Sequence, residues 1–507
     1  MGGSLALGID IGTTGLKAVV LDPRGGVIAQ THRHHTLRSP HPGWAEEDPA
    51  EWWETTCAAV RELVRQIPER SIAAVGVTGM VPAMVLLDED GQVLRPAILM
   101  NDARAAVEVE ELRQAVAPET FFAWTGGMPN QQNIEPRWRW LVKNEPDVIA
   151  RTAHLCGSYD YIVHQLTGLW SLERNWAVES GLYDIHHHGW MAEWLDRTGI
   201  RKDALPPVRL PSEIVGEVSD DAAAATGLAV GTPVVAGSAD HVAAALAAGL
   251  TEQGDTLLKF GGGGDILYCT DAPTPDPHFY FDEHDVPGLS LINGCMAASG
   301  SLVKWFAAEL AGGASLADLD REAAAVPPGS GGIVALPYAL GEKTPIFDPL
   351  ARGVFAGVML HHTRAHLYRA VLEAVCFGFQ HHLELLTEAG YPIRRLLATD
   401  GGSRSDLWMQ IAADITGRRI EVVAGEAGSA LGAAFVAGMG VGLFEQWSEV
   451  TRFAGVRRAF EPQLEAVERY RAAYRVYREL YERLGPVFPQ LQRIETSGDA
   501  KGAGRSI

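Results

Sequence analysis

Asp10 interrupts an apolar run two residues before Gly12-Thr13-Thr14-Gly15, an order of residue types suited to holding a phosphate chain. Glycines 12 and 15 allow a tight backbone path, and the hydroxyls of Thr13 and Thr14, with nearby amides, can donate to phosphate oxygens. Lys17 adds positive charge. An ionised Asp10 cannot donate to phosphate, so its natural partner there is a divalent cation or a metal-bound water. The segment is neither the Walker pattern nor the Gly-x-Gly-x-x-Gly fingerprint. It also fits a plain β-hairpin with a solvated Asp.

The elements that must hold these residues follow from the flanking pattern. Residues 18–21 and 27–29 continue the turn as a hairpin meander, and Glu47-Asp48-Pro49 introduces a helix over 52–65. Residues 73–78 read as a buried strand, and a helix is predicted from Pro136 to about Glu145. The short strand 234–237 runs into Ser238-Ala239-Asp240-His241 and an alanine-rich helix. The second half starts as the first does: Leu257-Leu258-Lys259-Phe260, then Gly261 to Gly264, then a strand over 266–269. The chain therefore reads as internally duplicated. A helix over 366–388 stops at Gly390, and strand 396–399 turns through Asp400-Gly401-Gly402-Ser403 into a helix ending near Gly417.

Composition excludes whole classes of function. A chain of 507 residues is long enough for two domains, and 47% hydrophobic with 21% charged residues describes a soluble protein. The net charge of −21 argues against a general nucleic-acid or anionic-membrane surface. The start lacks a signal-peptide pattern, and the five scattered cysteines fit reduced thiols, so a cytoplasmic location is expected. The histidine groups at 32–35, 186–188, 361–362 and 381–382 lack metal-ligand spacing and are read as surface or packing residues.

Taken together, several segments resemble the FGGY carbohydrate kinases of the actin-like ATPase superfamily, xylulokinase-like branch, from about residue 5 to 485. They are 10–17, His41-Pro42-Gly43-Trp44, Ile98 to Arg104, Ile134 to Asn144, Gly341-Glu342-Lys343-Thr344-Pro345, 353–373, Gly401-Gly402-Ser403 and Ala430-Leu431-Gly432-Ala433-Ala434. The resemblance implies an α/β fold of two ribonuclease H-like domains with a central cleft. It places an N-terminal domain at 1–247 (sugar, base and first phosphate loop), a C-terminal nucleotide domain at 248–490 and a flexible tail at 491–507.

It further implies ATP and Mg2+ as cofactors and a small sugar or polyol, pentulose as a class, as acceptor. Asp240 takes the position of the catalytic aspartate, with a helix N-cap as its alternative role. Asp10 and Asp240 are the expected metal residues. Thr13, Thr14, Lys17, Gly261, Gly262, Gly401, Gly402 and Asp406 are expected on the nucleotide. Met80, Asn101, Asp102, Asn175, Trp176, Asp240 and His241 are expected on the sugar.

Departures bear on substrate. Met80-Val81-Pro82-Ala83 replaces Gln-Met-His-Gly, Met100 replaces Trp, His241 replaces Asn, and the second phosphate loop is all glycine. Lost donors shift specificity, so D-xylulose is not expected to be the best acceptor. Gluconate, autoinducer or other polyol kinases are alternatives, and a catalytically silent sugar sensor on the same scaffold is another, which intact Asp10 and Asp240 disfavour. A chaperone-type ATPase fits less well, and a homodimer is compatible with the chain.

Overall fold

A computed structural model describes residues 4–67, 71–423 and 428–494. The chain forms two compact units, each from separate stretches: Met1–Thr251 with Thr270–Leu291 and Gly425–Ala454, and Glu252–Cys269 with Ile292–Ala424 and Gly455–Ile507.

The first unit is built on a seven-stranded sheet. Its strands are β1 (Ser4–Gly12), β2 (Gly15–Asp22), β3 (Gly26–His34), β4 (Ser71–Gly79), β5 (Ile214–Glu217), β6 (Pro233–Val235) and β7 (Ser238–Ala239). The order is β5-β6-β4-β1-β2-β3, with β7 also pairing β4. β1 is antiparallel to β2 and parallel to β4. Its residues from Leu5 to Ile9 are buried without alternation, as a central strand covered on both faces requires. The helix Pro49–Gln66 covers β2 and β3, started by Asp48, whose side chain accepts from the Ala50 amide at 3.0 Å.

Small residues let the helix Gly428–Gly440 lie directly on this sheet. A Cβ on Gly8 would meet the Ala430 carbonyl at 2.0 Å, and one on Gly432 the Ala243 carbonyl at 2.1 Å. Ala6, Val19, Leu21, Ala430, Ala434 and Phe435 share the resulting core.

The second unit repeats the topology. Strand β8 (Asp255–Phe260) is antiparallel to β9 (Gly264–Thr270) and parallel to β10 (Arg395–Thr399); β10 pairs with β11 (Ile420–Val423), and β11 with β12 (Val456–Phe460). The duplication read from the two glycine turns is thus a duplicated hairpin-plus-parallel-strand core.

Two boundaries differ from expectation. The helix expected to open at Pro136 spans Ile134–Asn144, with Pro136 inside its first turn, where a missing N–H costs no intrahelical bond. The helix Asp240–Ala247 has Ala239 at its N-cap, so Asp240 is its first residue and does not cap it. Of the expected tail, residues 491–494 are helical and 495–507 lie outside the described residues.

Candidate active site

Asp10 lies near the carboxyl end of β1, and Gly12 pairs with Gly15, which leaves Thr13 and Thr14 as the two-residue tip of the hairpin. Thr14 is exposed, Thr13 half-buried, and Lys17 stands opposite Asp10 across the ladder. Oδ2 of Asp10 accepts from Oγ of Ser429, at the start of the helix Gly428–Gly440, at 2.6 Å.

Strand register brings Asp240 to the same edge. Asp10 is level with Thr78 on β4, and Thr78 is level with Ser238 on β7, whose carbonyl accepts from the Thr78 hydroxyl at 2.6 Å. Two inter-strand steps separate β1 from β7, about 10 Å at ordinary parallel spacing. Asp240 follows two residues beyond Ser238, at the carboxyl end of the parallel strands where an α/β sheet opens to ligands.

The side chain of Asp240 is one-third exposed, with Oδ1 3.4 Å from Nδ1 of His241. On its other side, His241 Nε2 lies 3.1 Å from Oδ2 of Asp282 and 3.9 Å from Oε1 of Glu179. Burial disfavours the imidazolium, yet Asp282, Asp240 and Glu179 outweigh it and hold the His241 pKa well above its ordinary value. Burial, reinforced by the Asp282 charge, pushes Glu179 up.

The remaining acceptor-side residues divide sharply. Asn101 is exposed. Met80 and Trp176 are buried, and the Trp176 indole donates to the Ala83 carbonyl at 2.8 Å. Asp102 is buried with both oxygens engaged, by Arg104 at 2.8 Å on each and by the Ala45 amide at 2.6 Å. The Asn175 side chain bonds the backbone of Glu283, to the carbonyl at 2.9 Å and from the N–H at 2.8 Å, which leaves one of its two amide N–H groups over. Of the residues expected on the sugar, Asp102 thus has both oxygens taken, Met80 and Trp176 line the interior, and Asn175 keeps a donor.

In the second unit the turn after β8 is fixed through its carbonyls. Gly261 O accepts from the Gly300 amide at 2.8 Å, and Gly262 O from the Ser299 and Ser301 amides at 2.9 and 3.0 Å. A Cβ on Gly262 or Gly401 would meet open space, which suits backbone approach to a ligand. Gly402 is different. A Cβ there would strike the Trp408 ring at 2.5 Å, so packing of the strand-to-helix turn already demands glycine. Asp406 opens the helix Asp406–Thr416 and pairs with Arg458, so its carboxylate is engaged by protein.

Comparison with known proteins decides the family. Residues 5–247 match the FGGY family of carbohydrate kinases, N-terminal domain, and residues 266–441 match the C-terminal domain. The chain belongs to the FGGY family of carbohydrate kinases. It is 31% identical over 480 residues to the Bacillus subtilis (strain 168) xylulose kinase, covering 94% of this chain and 96% of that protein. It is also 31% identical to the Escherichia coli (strain K12) L-xylulose/3-keto-L-gulonate kinase over 489 residues, 94% and 96% of the two chains. The crystal structure of xylulose kinase from Rhodospirillum rubrum superimposes with a TM-score of 0.92 at 45% identity, covering 96% of this chain and 99% of that one. The fold is accordingly the two-domain actin-like ATPase type, and the protein is a carbohydrate kinase that uses ATP.

Three residues of the kinase escaped sequence reasoning. Ser429 is 419 positions from Asp10, while Glu179 and Asp282 reach His241 from separate segments. The small-residue run after Ser429 was the one available signal, since it demands close packing on another backbone. Nothing in the spacing of Glu179 and Asp282 points to His241. Among the described residues no helix is long and apolar enough to cross a membrane, and all five cysteines are free.

Proposed function

We propose that this kinase phosphorylates a hydroxyl of a small neutral sugar, a pentulose as a class, with Asp240 as general base and Asp10 organising magnesium. The observation that carries the reading is Asp240 itself: a carboxylate one-third exposed at the carboxyl edge of the sheet, beside His241 and two strands from Asp10. The relatives named as xylulose kinases support the pentulose class.

In this mechanism Asp240 accepts the proton of the attacking hydroxyl as the oxygen bonds to the γ-phosphorus and the bond from that phosphorus to the bridging oxygen breaks, releasing ADP, and His241 holds the carboxylate in place. Thr13, Thr14 and Lys17 hold phosphate oxygens, as do the backbone at Gly261 and Gly262. The backbone at Gly401 borders the nucleoside, and Gly402 shapes that turn. Asp406 can reach the nucleoside only by giving up Arg458. The carboxylates of Asp10 and Asp240 and the hydroxyls of the turn would offer Mg2+ the oxygen donors it prefers. Bound with ATP, the ion would spread the phosphate charge.

A first domain carrying the base and sugar, a second carrying the nucleotide, a cytoplasmic site of action and a homodimer complete the proposal. Light scattering tests the last. The deciding experiment is Asp240→Asn: sugar-dependent ATP turnover should vanish while ATP binding, measured by calorimetry, persists. Turnover within a few-fold of the parent would remove Asp240 as the base.

A further inference from the structure

Arg137 is fully buried, and all five of its N–H groups go to backbone carbonyls. Nε donates to Asn133 O at 3.2 Å, and Nη1 to Ile98 O and Leu99 O at 3.1 and 3.3 Å. Nη2 donates to Pro82 O at 2.9 Å and to Gln132 O. Asp102, the acid whose charge Arg137 feels, is already taken by Arg104. Burial without a paired carboxylate disfavours the charge and lowers its pKa to about 9.

A guanidinium desolvated without a counter-charge is costly in itself, and what it returns is a donor for buried carbonyls on separate segments. Such local costs are retained where function needs the geometry. The carbonyls joined here belong to three separate stretches. One follows Met80, one precedes Met100 and Asn101, and one carries Asn133, whose amide donates to the Glu179 carbonyl at 3.3 Å. Glu179 in turn faces His241 beside Asp240.

We infer that Arg137 is a positioning residue for the acceptor sugar: its planar fork sets the spacing of the three segments that bound the sugar beside Asp240. The inference rests on the proposed reading of the acceptor site. Lysine offers three donors from one point where the guanidinium offers five in a plane, so it can satisfy only part of this set of carbonyls.

The test compares Arg137→Lys and Arg137→Met with the parent, using D-xylulose and ATP in steady-state assays alongside thermal unfolding. In at least one folded variant the sugar KM should rise 10-fold or more, with kcat within 3-fold and the ATP KM within 2-fold. A sugar KM within 2-fold of the parent overturns the inference. So does a parallel shift of both KM values, or failure of both variants to fold, since either assigns the residue to general stability. Parent turnover and Asp240→Asn test the acceptor-site reading separately. An active Asp240→Asn with a sugar-KM effect at Arg137 would refute the base and leave the clamp standing.

Discussion

Ser429 donates to Oδ2 of Asp10 at 2.6 Å, a bond between residues 419 positions apart that fixes one oxygen of the acid expected to serve the metal. A hydrogen bond to a charged group contributes roughly 1.5–3 kcal/mol. Ser429→Ala should therefore lower turnover by about ten- to a hundredfold if the whole of that energy is used to orient Asp10. Asp10→Ala should lose turnover more steeply and flatten the magnesium dependence. Magnesium titrations of both variants check this, and an unchanged curve for Asp10→Ala would count against a metal role.

His241 is bracketed by Asp240 at 3.4 Å and Asp282 at 3.1 Å. Removing one partner of a buried ion pair leaves the other uncompensated, at a cost of about 3–5 kcal/mol. His241→Ala should thus destabilise strongly, and Asp282→Asn in the same chain should recover part of the loss. A double-mutant cycle read by chemical denaturation measures the coupling, expected at roughly 0.5–3 kcal/mol. Additive effects within error would show that the two side chains do not depend on each other.

The site was unevenly legible in the sequence. The placing of Asp10 near a strand end, of Thr13-Thr14 at a hairpin tip and of Asp240 at a helix start is legible because a glycine turn and a strand end leave local patterns, and the duplicated topology follows from the second glycine turn. Gly402 was read for a ligand when the Trp408 ring already requires it. Asp102 and Asn175 are expected on the sugar from the family resemblance, and tertiary partners engage both oxygens of Asp102 and part of the Asn175 amide. Those partners, Glu283 and Arg104 among them, come from folding, and pattern alone does not tell a satisfied amide from an available one. The helix Gly428–Gly440 belongs to the first unit although the stretch before it, Ile292–Ala424, belongs to the second, a return that local periodicity does not encode.

Glu47 gives a pH prediction with a definite sign. It is buried, with Oε2 accepting from the Trp52 indole at 2.6 Å and lying 3.7 Å from Nδ1 of His35, whose pKa burial lowers. Burial pushes its pKa up to about 7. A carboxyl whose folded pKa is raised contributes stability that is complete below its unfolded value of about 4.3 and is lost as pH rises through the folded value. Glu47→Gln keeps an acceptor for Trp52 and cannot ionise. Its Tm relative to the parent should therefore be higher at pH 8 than at pH 5.5, by the equivalent of about 2 kcal/mol. Calorimetric scans at the two pH values decide it, and a difference that does not move with pH would show that Glu47 is not the titrating group.

The last prediction concerns the acceptor. Around Asp240 stand the carboxylates of Asp282 and Glu179, with His241 shared among all three. The arginines bonded to the acceptor-side segments are committed: Arg104 to Asp102 and Glu46, Arg137 to five carbonyls, Arg174 to Glu283. A sugar carboxylate entering beside Asp240 would meet like charge and, among these arginines, no spare guanidinium, which disfavours aldonates such as gluconate. Neutral pentuloses and polyols should have kcat/KM at least tenfold above gluconate, equivalent to about 1.4 kcal/mol or more. Among neutral sugars, Met80 and Pro82 stand where hydrogen-bonding Gln and His are expected, and a missing donor opposite a buried hydroxyl costs about 1–3 kcal/mol. D-xylulose should consequently fall below another neutral sugar in a coupled ATP-consumption panel of pentuloses, tetritols, pentitols and aldonates. Gluconate at the top of that panel would refute the charge argument, and D-xylulose at the top would show that the lost donors are compensated, with His241 the first residue to test by His241→Asn.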